Sequence, residues 1–468
     1  MSSIFVSSLF NSYSKYIEEK LENKRFTHSD ILPLITKAAA SGNLLVNSTG
    51  HSFENREIFS LKFGNGKTKI LLWSQMHGDE PTATMALFDI FNFLNADDEF
   101  NNYREMIKEK LTLIFVPMLN PDGAERILRC NAAGIDLNRD AARLQSPESK
   151  ILMELTDTIL PQFAFNLHDQ DYRWSVGDSN KLASISFLAP AYDVQKSVSP
   201  ARADAMKLIA KLKQDFEIYL SGQIARYPDD FESRSFGDTI SGKGVSTILI
   251  ECGREVGNIN KSYLRKINFM LLLSSFKEIA EKKYLEQNSL DNYFSIPTNG
   301  KFLFDLILRK VNFITNGRKY YSDIAINREE VYADNSRVPF FFGKIEDMGD
   351  LSPFNGLEEF DASELYFEAP KVAQKLCNNI ADLNSEYLSG LLRDGFQFVK
   401  YVGDINQKSF TNLPINLISK NSTYLPAAFP ASAANFNLLR NGSPFKQVVN
   451  GWLINPGETS LIKNGLIF

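Results

Sequence analysis

The sequence is poor in the residues that cross-link, span or ligate. Cysteine occurs three times in 468 residues, at Cys130, Cys252 and Cys377, too few and too scattered for a disulfide framework and odd in number. No apolar run approaches the roughly 20 residues a spanning helix needs, and the mean hydropathy is −0.21, so no membrane span is expected. Neither charge sign dominates: 51 Lys and Arg against 56 Asp and Glu leave a net charge of −5, which gives no support to a nucleic-acid partner. Also missing is a basic start followed by a sustained apolar stretch and a small-residue cleavage site. The first 24 residues read instead as an amphipathic helix, and the expected location is the reducing cytoplasm. Histidine is scarce as well, with only His28, His51, His77 and His168, so any histidine-dependent site can be sought by elimination.

What remains is of globular composition, 44% hydrophobic and 23% charged, at a length suggesting about two to four domains. Short apolar runs at 69–76, 111–119, 163–168 and 246–251 read as buried strands. They alternate with helical stretches, one opened by Pro81 and others at 148–159, 200–219 and 261–284. The order is α/β, a largely buried sheet covered by helices. From about Asn288 the chain turns polar and aperiodic, so a boundary is expected near Pro297, dividing 1–296 from 297–468. The second part offers short alternating runs separated by Asn-Gly and Ser-Pro turns and reads as mainly β.

Two of the histidines fall at strand ends, the edge at which open α/β sheets build their sites. His77-Gly78-Asp79-Glu80 follows the first apolar run, and its His and Glu, three residues apart, can converge on one point; His168 closes the run FAFNLH. A His and a Glu close together plus a distant His make the two-histidine, one-carboxylate set of a catalytic zinc, with a fourth position left to water. A lone His-x-x-Glu is weak, because it also arises as a helix N-terminus with a carboxylate in its first turn. His28 and His51 have no motif around them and read as surface or packing residues.

The segments around the second histidine narrow the reading. Asn120-Pro121-Asp122-Gly123, Arg129 and Asp136-Leu137-Asn138-Arg139 precede it, and Thr247-Ile248-Leu249-Ile250-Glu251 follows. In that order these motifs resemble the zinc metallocarboxypeptidase family, over approximately residues 43–253. The resemblance implies a mixed sheet flanked by helices and a Zn2+ cofactor bound by His77, Glu80 and His168, with Asp136 orienting the imidazole of His77. It further implies Arg129 as the group that polarises the scissile carbonyl, Asn138 and Arg139 as the grip on the substrate's terminal carboxylate, and Glu251 as general base. Digestive-type members carry an arginine between the first His and Glu; Asp79 stands there in this chain and would favour cationic groups in the outer subsites. They also carry a mobile-loop tyrosine some way before the late glutamate. Counting the same distance back from Glu251 lands on Asp229, with Tyr227 the nearest tyrosine. Arg234 and Asp238 could line the pocket for the departing residue, a surface loop being the alternative.

The C-terminal part resembles the composite β-sandwich of amidohydrolases of the dihydroorotase and deaminase kind, without their barrel. No histidine follows His168, and the stretch from Leu365 to Pro430 is too short for the eight strand–helix units of a barrel. A smaller accessory or assembly domain is expected, separable from the chemistry, through which copies of the chain could form a homo-oligomer. The expected function is removal of a C-terminal residue from a peptide substrate. One alternative is a deacylase of the aspartoacylase or succinylglutamate desuccinylase kind acting on an N-acyl amino acid. Another is a non-catalytic binding module, against which the full zinc set and Glu251 argue.

Overall fold

In strand Thr68–Ser74, Ile70 and Leu72 pack into one apolar cluster and Leu71 and Trp73 into another, and all four are fully buried. Side chains of a strand alternate between faces, so a continuous apolar run of this kind requires cover on both. The computed structural model describes residues 4–170, 173–333, 336–403, 409–422 and 429–468; residues 1–3 of the expected N-terminal helix lie outside them. Two compact units result, one of Met1–Gly177 with Lys181–Lys301, the other of Asp178–Asn180 with Phe302–Phe468.

The first unit runs α1 (Ile4–Ser12), α2 (His28–Ala40), β1 (Leu45–His51), β2 (Glu57–Phe63), β3 (Thr68–Ser74), α3 (Thr82–Asn95), α4 (Asn101–Lys110), β4 (Leu111–Val116), α5 (Pro121–Arg126) and α6 (Pro147–Ile159). It continues with β5 (Phe163–Asp169), β6 (Ser175–Val176), β7 (Ile185–Leu188), α7 (Pro200–Leu220), β8 (Ile224–Arg226), α8 (Phe236–Gly242), β9 (Ser246–Cys252), α9 (Ser262–Glu281), α10 (Asp291–Phe294) and β10 (Asn299–Gly300). The sheet order is β1-β2-β4-β3-β5-β9-β7-β8. Strands β4, β3, β5 and β9 are mutually parallel, while β1, β2 and β7 join antiparallel, so the sheet is mixed as expected. Because β3, β5 and β9 are parallel neighbours, their carboxyl ends share one edge. The register sets Ser74 beside Leu167 and His168 beside Glu251.

The expected cut before residue 297 falls inside this unit. Arg226 N donates to Pro297 O, and β10 pairs with β6, so the chain stays stitched to the first unit until Lys301. Upstream of that, Tyr293 and Ile296 belong to the main apolar cluster.

The second unit contains β11 (Leu303–Thr315), β12 (Arg318–Val331), β13 (Phe340–Gly349), β14 (Asn355–Asp361), β15 (Tyr366–Glu368), β16 (Lys371–Cys377), α11 (Ser385–Arg393), β17 (Phe396–Tyr401), β18 (Phe410–Thr411), β19 (Asn416–Ser419), β20 (Phe436–Arg440), β21 (Ser443–Val449) and β22 (Trp452–Ile454). It is β-rich. An eight-stranded sheet runs β13-β12-β11-β15-β20-β21-β22 with β14 beside β11, and Asn316-Gly317, both at positive φ, turn β11 into β12. Beyond the mainly β reading, β16, β17 and β19 form a parallel three-stranded sheet with α11 between its first two strands. That helix buries only Leu388 and Leu392, too short an apolar pattern to stand out among strand signals.

Candidate active site

The loop between β3 and α3 owes its shape to close backbone contact. Gln75 adopts a positive φ of 49°, and Glu80 N donates to His77 O at 3.2 Å. A Cβ at Gly78 would stand 2.0 Å from Gly123 C, so only glycine fits there. Gly123 belongs to the Asn-Pro-Asp-Gly motif, which starts α5. Asn120 Oδ1 caps the helix by accepting from Gly123 N at 2.8 Å, with Pro121 at the first helical position. Asn120 Nδ2 donates to Met76 O at 3.2 Å, so one side chain joins the two loops.

His77, Glu80 and His168 meet at the shared strand edge, all three buried. His77 Nδ1 lies 2.7 Å from Glu80 Oε1, His168 Nδ1 lies 2.6 Å from Glu80 Oε2, and the two Nδ1 atoms are 3.2 Å apart. One donor atom from each lies within 4.8 Å of the others. On its far side His77 Nε2 is 3.0 Å from Asp136 Oδ1, whose orientation is fixed by a bond from Asn138 N at 2.9 Å. In its neutral form, with Nε2–H donated to Asp136, His77 would turn the Nδ1 lone pair inward. Two imidazole nitrogens converging on a buried carboxylate form a donor set that a zinc ion fits. Burial lowers the pKa of His77, but the charge of Glu80 and the bonds from Asp136 and Glu80 outweigh it and push it up to about 9. Burial and the neighbouring imidazoles oppose each other at Glu80, and the imidazoles win, holding it ionised. Burial lowers His168.

The remaining candidates surround a cavity of ≈ 320 Å³ that these three residues line. Glu251 is buried, and desolvation, then the charge of Glu80, raises its carboxyl well above the usual range. Arg129 places Nη1 3.4 Å from Glu80 Oε1 and Nε 3.0 Å from Asp136 Oδ2. Asn138 Oδ1 accepts from Phe236 N at 3.0 Å at the start of α8, leaving the amide nitrogen as its donor. Arg139 donates to Asn138 O at 2.7 Å and stands 3.7 Å from Glu232. Of Tyr227, Arg234 and Asp238, the first and last line the cavity. Burial, then Glu251 and Glu80, pushes the Tyr227 phenol up to about 12, and burial, then Asp229 and Glu232, pushes Asp238 up to about 7. Arg234 is not among the lining residues; it forms a fork with Glu232 at 2.9 and 2.7 Å.

Asp79, expected to set the polarity of the outer subsites, is likewise not among the lining residues, whereas Lys301 is. The sequence reading missed Lys301, Trp174 and Glu232. No local pattern marks Lys301, because the chain reaches the cavity there only through the pairing of β10 with β6.

Residues 35–182 match the family model described as zinc carboxypeptidase. The match contains His77, Glu80, Arg129, Asp136 and His168 and stops short of Glu251. Among curated relatives, carboxypeptidase D of Homo sapiens is 31% identical over 126 residues, covering 23% of this chain and 9% of the relative. Carboxypeptidase 2 of Trichophyton tonsurans is 27% identical over 103 residues, covering 22% of this chain and 19% of the relative. The chain therefore spans only a small part of these relatives. A metallo-carboxypeptidase from Burkholderia cenocepacia superposes with a TM-score of 0.47 at 14% identity, over 56% of this chain and 71% of that one.

Proposed function

We propose that this chain is a zinc-dependent metallocarboxypeptidase that removes the C-terminal residue of a peptide. The observation that carries the reading is the convergence of His77, Glu80 and His168 in one cavity with Arg129 and Glu251. Bound zinc supplies Lewis acidity, polarising the scissile carbonyl and acidifying water. The chain's own groups do the rest. Asp136 holds the His77 ring in register, so the ligand is oriented before substrate arrives. Glu251 takes the proton of the attacking water on its carboxylate and passes it to the departing amine nitrogen, two transfers by one side chain. Arg129, charged at every working pH, faces the oxygen on which negative charge grows. Asn138 and Arg139 receive the terminal carboxylate, and the fork of the guanidinium suits that planar group.

The family match supports this reading and favours neither the deacylase nor the binding-module alternative. We also place it in the reducing cytoplasm, on the three scattered cysteines of its sequence. The test is a panel of peptides with free or amidated C-termini, assayed with metal content measured, in the wild type and His168→Ala. Release of single residues from free C-termini, one zinc per chain and loss of both in His168→Ala are the expected results. Equal processing of amidated peptides would overturn the terminal-carboxylate grip, and stoichiometric zinc in His168→Ala would overturn the ligand set.

A further inference from the structure

We propose that Lys301 is a specificity-determining residue. Its ammonium group takes an acidic side chain of the peptide at a position other than the one whose terminal carboxylate Asn138 and Arg139 receive. This rests on the carboxypeptidase reading above and adds a substrate class to it: peptides carrying a second carboxylate near the C-terminus.

Lys301 is built into the cavity wall. Two residues before it, the buried Asn299 donates from Nδ2 to Gln170 Oε1 at 2.9 Å and to Ser186 Oγ at 3.1 Å. Asn299 pairs with Val176 and Gly300 with Ser175 in antiparallel register, so the next cross-strand neighbours are Lys301 and Trp174. Gly177 N donates to Thr298 O at 3.0 Å and Ser175 Oγ to Gly300 O at 2.9 Å, tightening the same short ribbon. Lys301 Nζ lies 5.2 Å from the centroid of the Trp174 ring, and that ring lies 5.8 Å from the ring of Tyr227. All three side chains line the cavity. An ammonium over an aromatic face is held without being neutralised, so it keeps its capacity for an anion.

The other cations of the cavity have acidic neighbours and are assigned above to the scissile carbonyl and the terminal carboxylate. Arg129 faces Glu80 and Asp136, and Arg139 faces Glu232. Lys301 has no ion-pair partner among the described residues. An exposed lysine is ordinarily satisfied by water alone; the anchored backbone and the aromatic seat distinguish this one. A second carboxylate would pair with Lys301 while the Trp174 and Tyr227 rings cover its stem. Partly exposed pairs of this kind are modest, so a preference of roughly threefold to tenfold is expected.

The experiment uses the full-length zinc-loaded protein and pairs of peptides differing only by Glu or Gln at each of the positions preceding the C-terminal residue. Cleavage gives kcat/KM, and analogues with a reduced scissile amide give equilibrium binding without turnover. The wild type should favour Glu at one position by the factor above, expressed in KM. Lys301→Ala should abolish that ratio, Lys301→Arg should retain it, and Lys301→Glu should reverse it in favour of Gln. Cleavage with equal Glu:Gln ratios in the wild type and Lys301→Ala overturns the assignment while leaving the carboxypeptidase standing. Acid-selective binding that depends on Lys301, with no peptide cleaved, overturns the carboxypeptidase and leaves the assignment standing. Neither cleavage nor acid-selective binding overturns both.

Discussion

Glu251 carries the sharpest test at the scale of single residues. Its carboxyl is buried beside another carboxylate, Glu80, and both effects favour the protonated form. Such a group gains from a cation placed between the two, and afterwards retains affinity for a proton, as a general base should. Replacing it by glutamine keeps the shape and removes the basic oxygen. Glu251→Gln should retain metal and fold but lose turnover by roughly 10²- to 10⁴-fold, measured as kcat alongside zinc content and circular dichroism; near-normal turnover would assign the base elsewhere. Asp238 sits in the same wall with its pKa raised by burial from 3.8 to about 7. Below that pH it is largely neutral, above it anionic. If it meets the departing side chain, peptides ending in Lys or Arg should gain on those ending in Leu as pH rises through 7, by about tenfold. Asp238→Asn should flatten that rise. The sign for stability is opposite. A carboxyl raised in the fold resists ionisation, so its penalty is absent at low pH, grows between the two values and is full above 7, where Asp238→Asn should gain stability relative to wild type.

Among the elements, the two loops that present the site depend on one another. The β3–α3 loop carries His77 and Glu80, the start of α5 carries Gly123, and the two backbones touch where Gly78 has no side chain. A methyl group cannot be absorbed by a rotamer change, because what it meets is main chain. Gly78→Ala should therefore cost roughly 1 to 3 kcal/mol or more and weaken zinc binding disproportionately, since the displaced loop bears two of the three donors. Calorimetric unfolding together with zinc titration checks this, and unchanged zinc affinity would show that the contact is packing only. The loop bearing Arg129 and Asp136 is braced in a similar way from behind. Asn131 Oδ1 accepts from Ala133 N and Ile135 N, both at 3.0 Å, while its Nδ2 donates to the buried Glu148 at 3.1 Å. The structure thus extends the site's supports well beyond the groups that face the cavity.

For the whole molecule, two compact units with separate apolar clusters mean that unfolding need not be one transition. The candidate metal donors His77, Glu80 and His168 all lie in the first unit. Zinc at a hundredfold excess over its dissociation constant adds about 2.7 kcal/mol to the state that binds it, on the order of 5 °C in a domain of this size. A chelator should lower the transition of the first unit by that amount and leave the other in place, followed by calorimetry with each unit's transition assigned. A chelator effect that persists in His168→Ala would place the metal elsewhere.

The apolar runs of β3, β4, β5 and β9 were legible because a strand covered on both faces needs an unbroken apolar sequence, and the helices α6, α7 and α9 because their apolar spacing extends over three or more turns. Scarcity of histidine pointed to His77 and His168 before any fold was known. Only the tertiary structure decided that Tyr227 and Asp238 line the cavity while Arg234 turns to Glu232, and that the chain returns through β10 to bring Lys301 there. A two-residue strand has no period to read, and its place depends on backbone hydrogen bonds to a segment more than a hundred residues away. Local sequence records which face of an element is apolar; it carries no record of which distant element that face, or that edge, will meet.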